Sequence, residues 1–473
     1  MQLKAKSSAN KEMRDYVSKE VKAFKENHMD ANGRVTAKAL QDFLINLIPA
    51  IEYTSCDPSD VVIDLSRAII VGNFQCPAAK YPKVNFSEVN FTGEAIFSSV
   101  IFEGGVVFSK SIADAGAIIF QNVRFERKAD FSGCRLCLLF FFDSFLNCAL
   151  VLDNAEIGGK FFRTIFGADA KFSSCKAGLH IKKCEFHGPV FFNDAELYWW
   201  NDSEIEADQT EKPVIFRDTV TFKNASFRMT SFSKTQFLGE VSFSAAIFNE
   251  GADFKECIFQ KPCNFNNSKF LDSTDFSYCY FKVPPSFHDA ILHGDTSFEA
   301  TIFESQETER DWRAYRRLKQ LMHEVNASHE EGRFFAYELR TSAKIELKRS
   351  KFSIAAYISK LYDWLSRYGQ SIGLPIFWLF TVNIVFAIIF YYQEKLGNIK
   401  IDFASGWYKN APGWIGLTLQ NIFNPFAFLS KTPPYFVETI FLAVLCILQS
   451  VITILLFTLI ILALRRRFRK GSE

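Results

Sequence analysis

Two hydrophobic patterns divide the chain. From Phe237 onward phenylalanine returns at steps that alternate six and five, through Phe243, Phe248, Phe254, Phe259, Phe265, Phe270, Phe276, Phe281 and Phe287 to Phe298 and Phe303, with Leu292 in one slot. Weaker copies run back through Phe222, Phe186 and Phe120 to Phe86, so the array covers roughly residues 82 to 303 with a working period of eleven. A small side chain such as Ala246, Ala252, Cys257, Cys263, Ser268 or Thr274 sits two residues before each Phe. This spacing fits neither the period of a strand nor that of a helix. It fits a coil with corners, in which the ring and the small residue both point inward and Lys255, Glu256, Asn266 and Asn267 face water. The segment between Leu197 and Phe216 drops the period and carries Asp202, Glu204, Glu206, Asp208 and Glu211. It reads either as a solvated insertion or as a partner-docking loop anchored by Trp199 and Trp200.

The second pattern is continuous apolar sequence. Residues 373–392, GLPIFWLFTVNIVFAIIFYY, hold no charge over a length that spans a hydrocarbon core of about 30 Å at 1.5 Å per residue. Residues 435–464 are apolar with Glu438 as the only charge, long enough to require tilt or projection. Between them, GWIGLTLQNIFNPFAF (413–428) is apolar but too short to cross, the size of a re-entrant or interfacial helix. Lys344, Lys348, Arg349, Lys351, Lys360 and Arg367 precede the first span, and Arg465, Arg466, Arg467 and Arg469 follow the second. Basic residues on both outer flanks place both ends of the hairpin in the cytoplasm and 393–434 outside. Trp312, Tyr315, Leu318 and Met322 recur at helical intervals, so 304–350 predicts a helical linker. Residues 1 to 50 predict two amphipathic helices that cap the first coil.

Composition sharpens this picture at three points. Phe accounts for 53 of the 473 residues against 15 Tyr and 7 Trp, which implies a repeated socket for one ring type. The net charge of +2 hides an uneven distribution: about +1 for residues 1–82, about −7 for 83–303 and about +8 for 304–473. Eleven Cys, no apolar leader in MQLKAKSSANKEMRDYVSKEVKAF and the repeat register of most thiols predict reduced, buried cysteines in a cytosolic solenoid. Cys134 and Cys137 have the spacing of a zinc or redox pair, but only one such pair occurs, in repeat register. No phosphate loop, HExxH or GxSxG is present, and the seven His are scattered. The expectation is a non-enzyme with no catalytic residue, no cofactor and no metal site.

Strings such as ADFKECIFQKPCNFNNSKF and TDFSYCYFKVPPSFHDAILHGDTSF resemble the pentapeptide-repeat family over nearly half the chain. The resemblance implies a mainly β fold: a right-handed quadrilateral β-helix with large apolar residues stacked inside and four faces per turn. Here every second face carries a sixth residue, giving about 22 residues per turn and a rod of roughly 45 to 50 Å. The order helix, re-entrant segment, long helix resembles the two-helix pore of the potassium-channel superfamily. Asn421-Ile422-Phe423-Asn424-Pro425-Phe426 stands where that family carries TVGYG, so potassium selectivity is not implied. The whole C-terminal block resembles the ion-channel type of pentapeptide-repeat membrane protein found in bacteria.

The expected domains are a helical cap (1–60), the β-helix (61–303), a helical linker and juxtamembrane segment (304–372) and a two-helix transmembrane domain with re-entrant loop 413–428 (373–473). Within the last, Asn421, Asn424 and Pro425 belong to the loop, and the two Asn amides are candidates for a constriction. Gln449, near the middle of the second span, either faces an oligomer axis or bonds across a helix interface. Glu438 marks the outer mouth or only the outer boundary, and Arg465, Arg466, Arg467 and Arg469 set topology and bind anionic lipid.

Two functions compete. One is an oligomeric ion channel of the bacterial inner membrane, tetrameric by analogy, multi-pass with cytoplasmic termini, whose solenoid senses or oligomerises. The other is a membrane-anchored scaffold whose β-helix, or the 198–215 insertion, recruits a protein partner. Mimicry of DNA, known among pentapeptide-repeat proteins, has only the weak acidity of the array behind it, so nucleic acid is not an expected partner.

Overall fold

The computed structural model describes residues 2–52, 57–200, 212–396, 402–403, 412–424, 435–436 and 439–468. The chain forms two compact units, residues 1–305 with 320–327, and residues 306–319 with 328–473.

The first unit is a solenoid of parallel strands in about eleven coils, capped at its N-terminal end by helices α1 (Gln2–His28) and α2 (Ala37–Glu52). The cap joins the coil through backbone: Arg34–Thr36 pairs in parallel with Ile69–Val71 and covers what would otherwise be an open strand edge. Phe24 stacks on Phe43 at 4.2 Å, α2 buries Leu40, Leu44 and Leu47, and Asn10 Nδ2 donates to Asp60 at 2.9 Å. Coiling begins at Val62, before the first Phe of the array, because Ile63, Leu65, Ile70, Phe74 and Tyr81 fill the inward slots there.

The eleven-residue period is the half-turn of this coil. Val241 pairs with Cys263, Ile258 with Tyr280 and Tyr280 with Ile302, each 22 residues on. The rings therefore stack directly: Phe243, Phe265 and Phe287 lie at 5.0 and 4.8 Å with planes within 8°, and Phe254, Phe276 and Phe298 repeat this at 4.8 and 4.9 Å. Perpendicular neighbours, such as Phe254 against Phe265 at 85°, interlock the columns edge to face. The small position does more than make room. Cys257 Sγ donates to Phe232 O at 2.9 Å, Cys279 Sγ to Phe254 O at 2.9 Å and Thr301 Oγ1 to Phe276 O at 2.6 Å, so each satisfies a carbonyl of the coil below.

Corners alternate in type. One is a tight turn whose second residue is left-handed, at Lys234, Ala245, Glu256, Asn267, Tyr278, Asp289 and Ala300, eleven residues apart with φ between 52° and 59°. The other, Asn249-Glu250-Gly251 or Leu271-Asp272-Ser273, is looser and largely exposed, and it holds the sixth residue. The extra residue is thus extruded at the surface and leaves the stacking of the core intact.

The four-sided cross-section applies to the ends of the solenoid and requires a correction in its middle. Between Ile112 and Trp200 two adjacent sides fuse into one long strand per coil: Ile112–Gln121, Arg135–Phe142, Glu156–Phe162, Lys176–Lys182 and Glu196–Trp200. Coils here shorten, Leu150 pairing with Ala170 and Ala170 with Val190, each 20 residues on. Arg-Leu-Cys-Leu-Leu-Phe-Phe-Phe offers no turn residue, while the neighbouring strands run extended through Gly116, Gly158 and Gly178, with register shifts at Ala113/Ala117 and Leu136/Leu139. Ser226–Ser231 then pairs with both Ile247–Phe248 and Ala252–Asp253, and the side splits in two again. The acidic insertion (201–211) lies outside the described residues.

In the second unit α3 (Glu309–Glu324) starts at a reciprocal cap, Asp311 N donating to Thr308 Oγ1 at 3.1 Å and Thr308 N to Asp311 Oδ2 at 3.0 Å. Within this unit Lys319 binds Glu338 of α4 (Ser328–Arg349) at 2.6 Å and Tyr315 stacks on Tyr337. Arg340 of α4 holds Asp363 of α5 (Ile354–Ser366) with two bonds of 2.8 and 2.7 Å. Next come α6 (Gly373–Lys395), α7 (Gly413–Phe423) and α8 (Ile440–Phe468). Both α6 and α8 are long and apolar enough to cross a membrane.

The stacked columns predict the cost of removing one ring. Phe254→Ala takes a fully buried side chain from between Phe232 and Phe276 and is expected to destabilise the solenoid by about 3 to 5 kcal/mol. Chemical denaturation followed by far-UV circular dichroism measures it, and a loss below about 1 kcal/mol would show that the columns do not hold the coils together.

Candidate functional site

The polar core of the second unit is the strongest constellation in the chain. Asn383 is the one amide in the middle of α6, and it faces inward beside the stripe made by Phe386 and Phe390. On α8, Cys446, Gln449, Ser450 and Thr453 fall at helical intervals and are all buried. The short α7 contributes Leu417, Thr418, Gln420 and Asn421.

These three helices meet at Gln449. Its Nε2 donates to Asn383 Oδ1 at 2.7 Å, and its Oε1 accepts from Asn421 Nδ2 at 2.8 Å. Asn383 Nδ2 in turn donates to Leu379 O at 2.8 Å. The amide chain Asn383–Gln449–Asn421 thus ties α6, α8 and α7 together away from water, where each bond is electrostatically strong and each unmade one costly. Below it Leu417 packs among Phe386, Phe390, Leu442 and Cys446.

The other end of α7 is pinned to α6. Glu394 Oε2 accepts from Trp414 N at 3.0 Å, a carboxylate at a helix N-terminus where free N–H groups and the helix dipole favour negative charge. Trp414 also meets Tyr391 edge on at 5.7 Å. α7 is therefore held at both ends, with its C-terminal cap Asn424 exposed.

Not every buried polar atom is satisfied. Gln420 is 1% exposed, and neither Oε1 nor Nε2 has a hydrogen-bond partner among the described residues; the same holds for Thr453 Oγ1. In an apolar surrounding an unpaired amide costs about 1 to 3 kcal/mol, a deficit expected where something else supplies the partner.

Of the residues singled out in the sequence, Asn421 and Gln449 come together at bonding distance inside one chain, and Asn424 sits apart at the exposed end of α7. Gln449 is wholly buried and bonds across a helix interface. Arg465 lies in the last turns of α8, which also includes Arg466 and Arg467 in its backbone. Pro425, Glu438 and Arg469 lie outside the described residues. Asn383, Gln420 and Glu394 were missed by the sequence reading. The signal for Asn383 was available, since a lone amide inside an uncharged span carries the same meaning as Gln449.

A second place on the molecule is the outer surface of the fused side of the solenoid, a groove of about 800 Å³. Asp114, Arg135, Glu156, Lys176 and Glu196 climb it on successive coils with alternating sign. Arg135 holds Asp114 at 2.9 and 2.6 Å and keeps that carboxyl below its usual range. Gly158 and Gly178 form a side-chain-free shelf beside Tyr198, over whose ring Arg228 lies at 5.0 Å. Cys137 is exposed at its edge while Cys134 is buried on the opposite face, its thiol pushed up to about 12 by burial, so the two do not converge as a metal or redox pair. No group able to hold a metal ion occurs among the described residues.

Compared with known families, the chain matches pentapeptide repeats (9 copies) at residues 86–135, 214–258 and 254–302, all within the solenoid. The solenoid is thus a pentapeptide-repeat β-helix. No curated protein matches the chain.

The amide chain is testable as a coupled unit. In a double-mutant cycle of Asn421→Ala and Gln449→Ala on detergent-solubilised protein, the coupling is expected at about 1 kcal/mol. Additive losses would show that the two side chains do not bond.

Proposed function

We propose that the chain is a multi-pass protein of a bacterial inner membrane in which α6 and α8 span the bilayer, α7 dips into it as a re-entrant helix, and several copies form an ion-conducting assembly. The observation that carries this reading is α7 itself. It has 11 residues, too few to cross, yet it is apolar, packed between two spanning-length helices and fastened at both ends by Glu394 and Gln449.

Three further features support it. The outward faces of α6 and α8 are apolar, with Phe377, Phe380, Ile384, Ile440, Phe441 and Ile461 each at least 58% exposed. Core helices of a water-soluble protein bury such faces; lipid covers them here. The basic flanks before α6 and after α8 put the solenoid and both termini in the cytoplasm. Gln420 and Thr453 leave polar atoms unpaired inside an apolar bundle, as a helix group next to a water path in an assembly does.

In this reading the amide chain fixes α7 and does not line the path in one protomer, since Gln449 is already bonded on both sides. The exposed C-terminal end of α7 at Asn424 is the negative end of the helix dipole, which favours cations over anions. A single hairpin cannot enclose water, so the assembly is oligomeric, a tetramer by analogy with two-helix channels.

The groove on the fused side of the solenoid favours the second reading, a membrane-anchored scaffold. Its alternating charges and glycine shelf suit an extended partner segment. A conducting assembly with a docking face on its cytosolic domain satisfies both readings.

The deciding experiment records current in planar bilayers with asymmetric salt, for the full chain and for a version lacking residues 413–428. Discrete openings with a cation-selective reversal potential, absent from the deletion, are expected. Silence from correctly inserted full-length protein would leave the anchored scaffold.

A further inference from the structure

The helix α5 is packed inside out. Ile354, Tyr357, Ile358, Leu361 and Trp364 recur at helical spacing on one stripe, and each is at least 51% exposed; Phe352 just before the helix is 87% exposed. The opposite face, with Ala356, Asp363 and Ser366, turns toward its own unit. There Arg340 holds Asp363 with two short bonds and lies over Tyr368 at 5.9 Å, while Ser359 and Tyr368 share a hydrogen bond of 3.0 Å. An amphipathic helix tethered by its polar face, with its apolar face outward, is built to meet something apolar.

What it meets is indicated by its surroundings. The chain passes from α5 into α6 within 367–372, through the left-handed residues Arg367 and Tyr368. Trp364, at the end of the stripe, lies against Trp378 in α6 with ring centroids 3.9 Å apart. The stripe is therefore continuous with the outward apolar face of a spanning-length helix, and meets it near that helix's beginning. Tyr and Trp on the apolar side with Lys351, Lys360 and Arg367 alongside is the composition of a helix lying in a membrane interface.

A crevice of about 420 Å³ opens between α5 and α6, lined by Lys360, Asp363, Trp364, Arg367 and Trp378 with Arg340 of α4. Arg340 neutralises Asp363, which leaves two cations in excess. Lys360 and Arg367 have no ion pair among the described residues, and the buried Trp378 Nε1–H has no acceptor among them. Two free cations and an unused indole donor around one crevice are the complement of a phosphate group.

We infer that α5 lies flat in the cytoplasmic membrane interface and that the crevice between α5 and α6 holds the headgroup phosphate of an anionic phospholipid. This rests on the reading that α6 spans the membrane. The arrangement clamps the linker helices to the bilayer surface at the point where the first span begins. The position of α4, through Arg340, then depends on the lipid beneath α5.

The test uses the full chain in nanodiscs of phosphatidylcholine with phosphatidylglycerol, with native mass spectrometry counting retained lipid. The intact protein is expected to retain phosphatidylglycerol preferentially, and the variant K360Q/R367Q to lose that preference roughly thirtyfold. Millimolar inorganic phosphate is expected not to compete; competition would assign the crevice to a soluble anion and overturn the inference. So would equal retention by the two proteins. A benzophenone side chain at Leu361 is expected to cross-link to lipid, and a cross-link to a second copy of the chain, or none, would remove α5 from the interface. Alkaline carbonate extraction separates the two layers of the argument. A chain that resists extraction but gives no lipid adduct refutes only the interfacial helix, whereas a chain that is extracted refutes the spanning helices and this inference together.

Discussion

Everything in this chain depends on satisfying backbone and side-chain polar groups in places where water cannot reach. In the solenoid the ladder between coils does most of this, with Phe243 N donating to Asn264 O and Phe254 N to Asp275 O at 2.7 and 2.8 Å. At the corners Phe232 O and Phe276 O accept the N–H three residues on, and a thiol or hydroxyl of the next coil adds a second bond, from Cys257 and Thr301. Ala fills the same slot without adding a bond, as at Ala246 and Ala290, so the position demands small size first and a donor only in some coils. In the helical unit the backbone is self-sufficient, so the problem passes to side chains. Asn383, Gln449 and Asn421 solve it as a group.

That difference explains what the sequence disclosed. A repeat states its geometry many times over, so the alternating steps from Phe237 to Phe303 specify the ring columns, the inward small residue and the 22-residue coil together. The fused side was not legible, because a pattern defined by Phe does not say whether the backbone between two rings turns or runs extended. Arg135–Phe142 has no turn residue, yet the neighbouring strands run extended through Gly116 and Gly158. The coil starts at Val62, beside the expected domain boundary at 61, with Ile63 and Ile70 in the inward positions although they do not belong to the Phe series. In the helical unit Gln449 and Asn421 stood out singly, yet their bond did not, as nothing in linear spacing relates residues 28 apart on different helices.

Placing the exposed residues settles which surfaces are unfinished. The solenoid exposes polar corners and a charged ladder, with single apolar side chains such as Leu271 and Ile302 among them. The helical unit buries its amides and exposes Phe, Ile and Leu along α6 and α8, the inverse arrangement. Uncharged amides buried inside an apolar exterior are the arrangement that the proposed membrane setting favours, since lipid then covers the apolar faces and the amides bond to one another. The apolar stripe of α5 continues that exterior past the first turn of α6 through the contact of Trp364 with Trp378, and in the proposed reading the membrane surface falls there.

The role of α7 follows from how it is held rather than from what it exposes. A helix of three turns has little stability of its own, and most of what keeps it helical is packing against α6 and α8. Its fastenings differ in kind: a carboxylate on its N-terminal N–H groups and an amide chain near its C-terminus. Both reach it from α6, the second by way of Gln449 of α8. The position of α7 is thereby tied to the packing of α8 on α6 through Asn421 and to α6 directly through Glu394. Gln420, whose amide has no hydrogen-bond partner among the described residues, lies between these two fastenings.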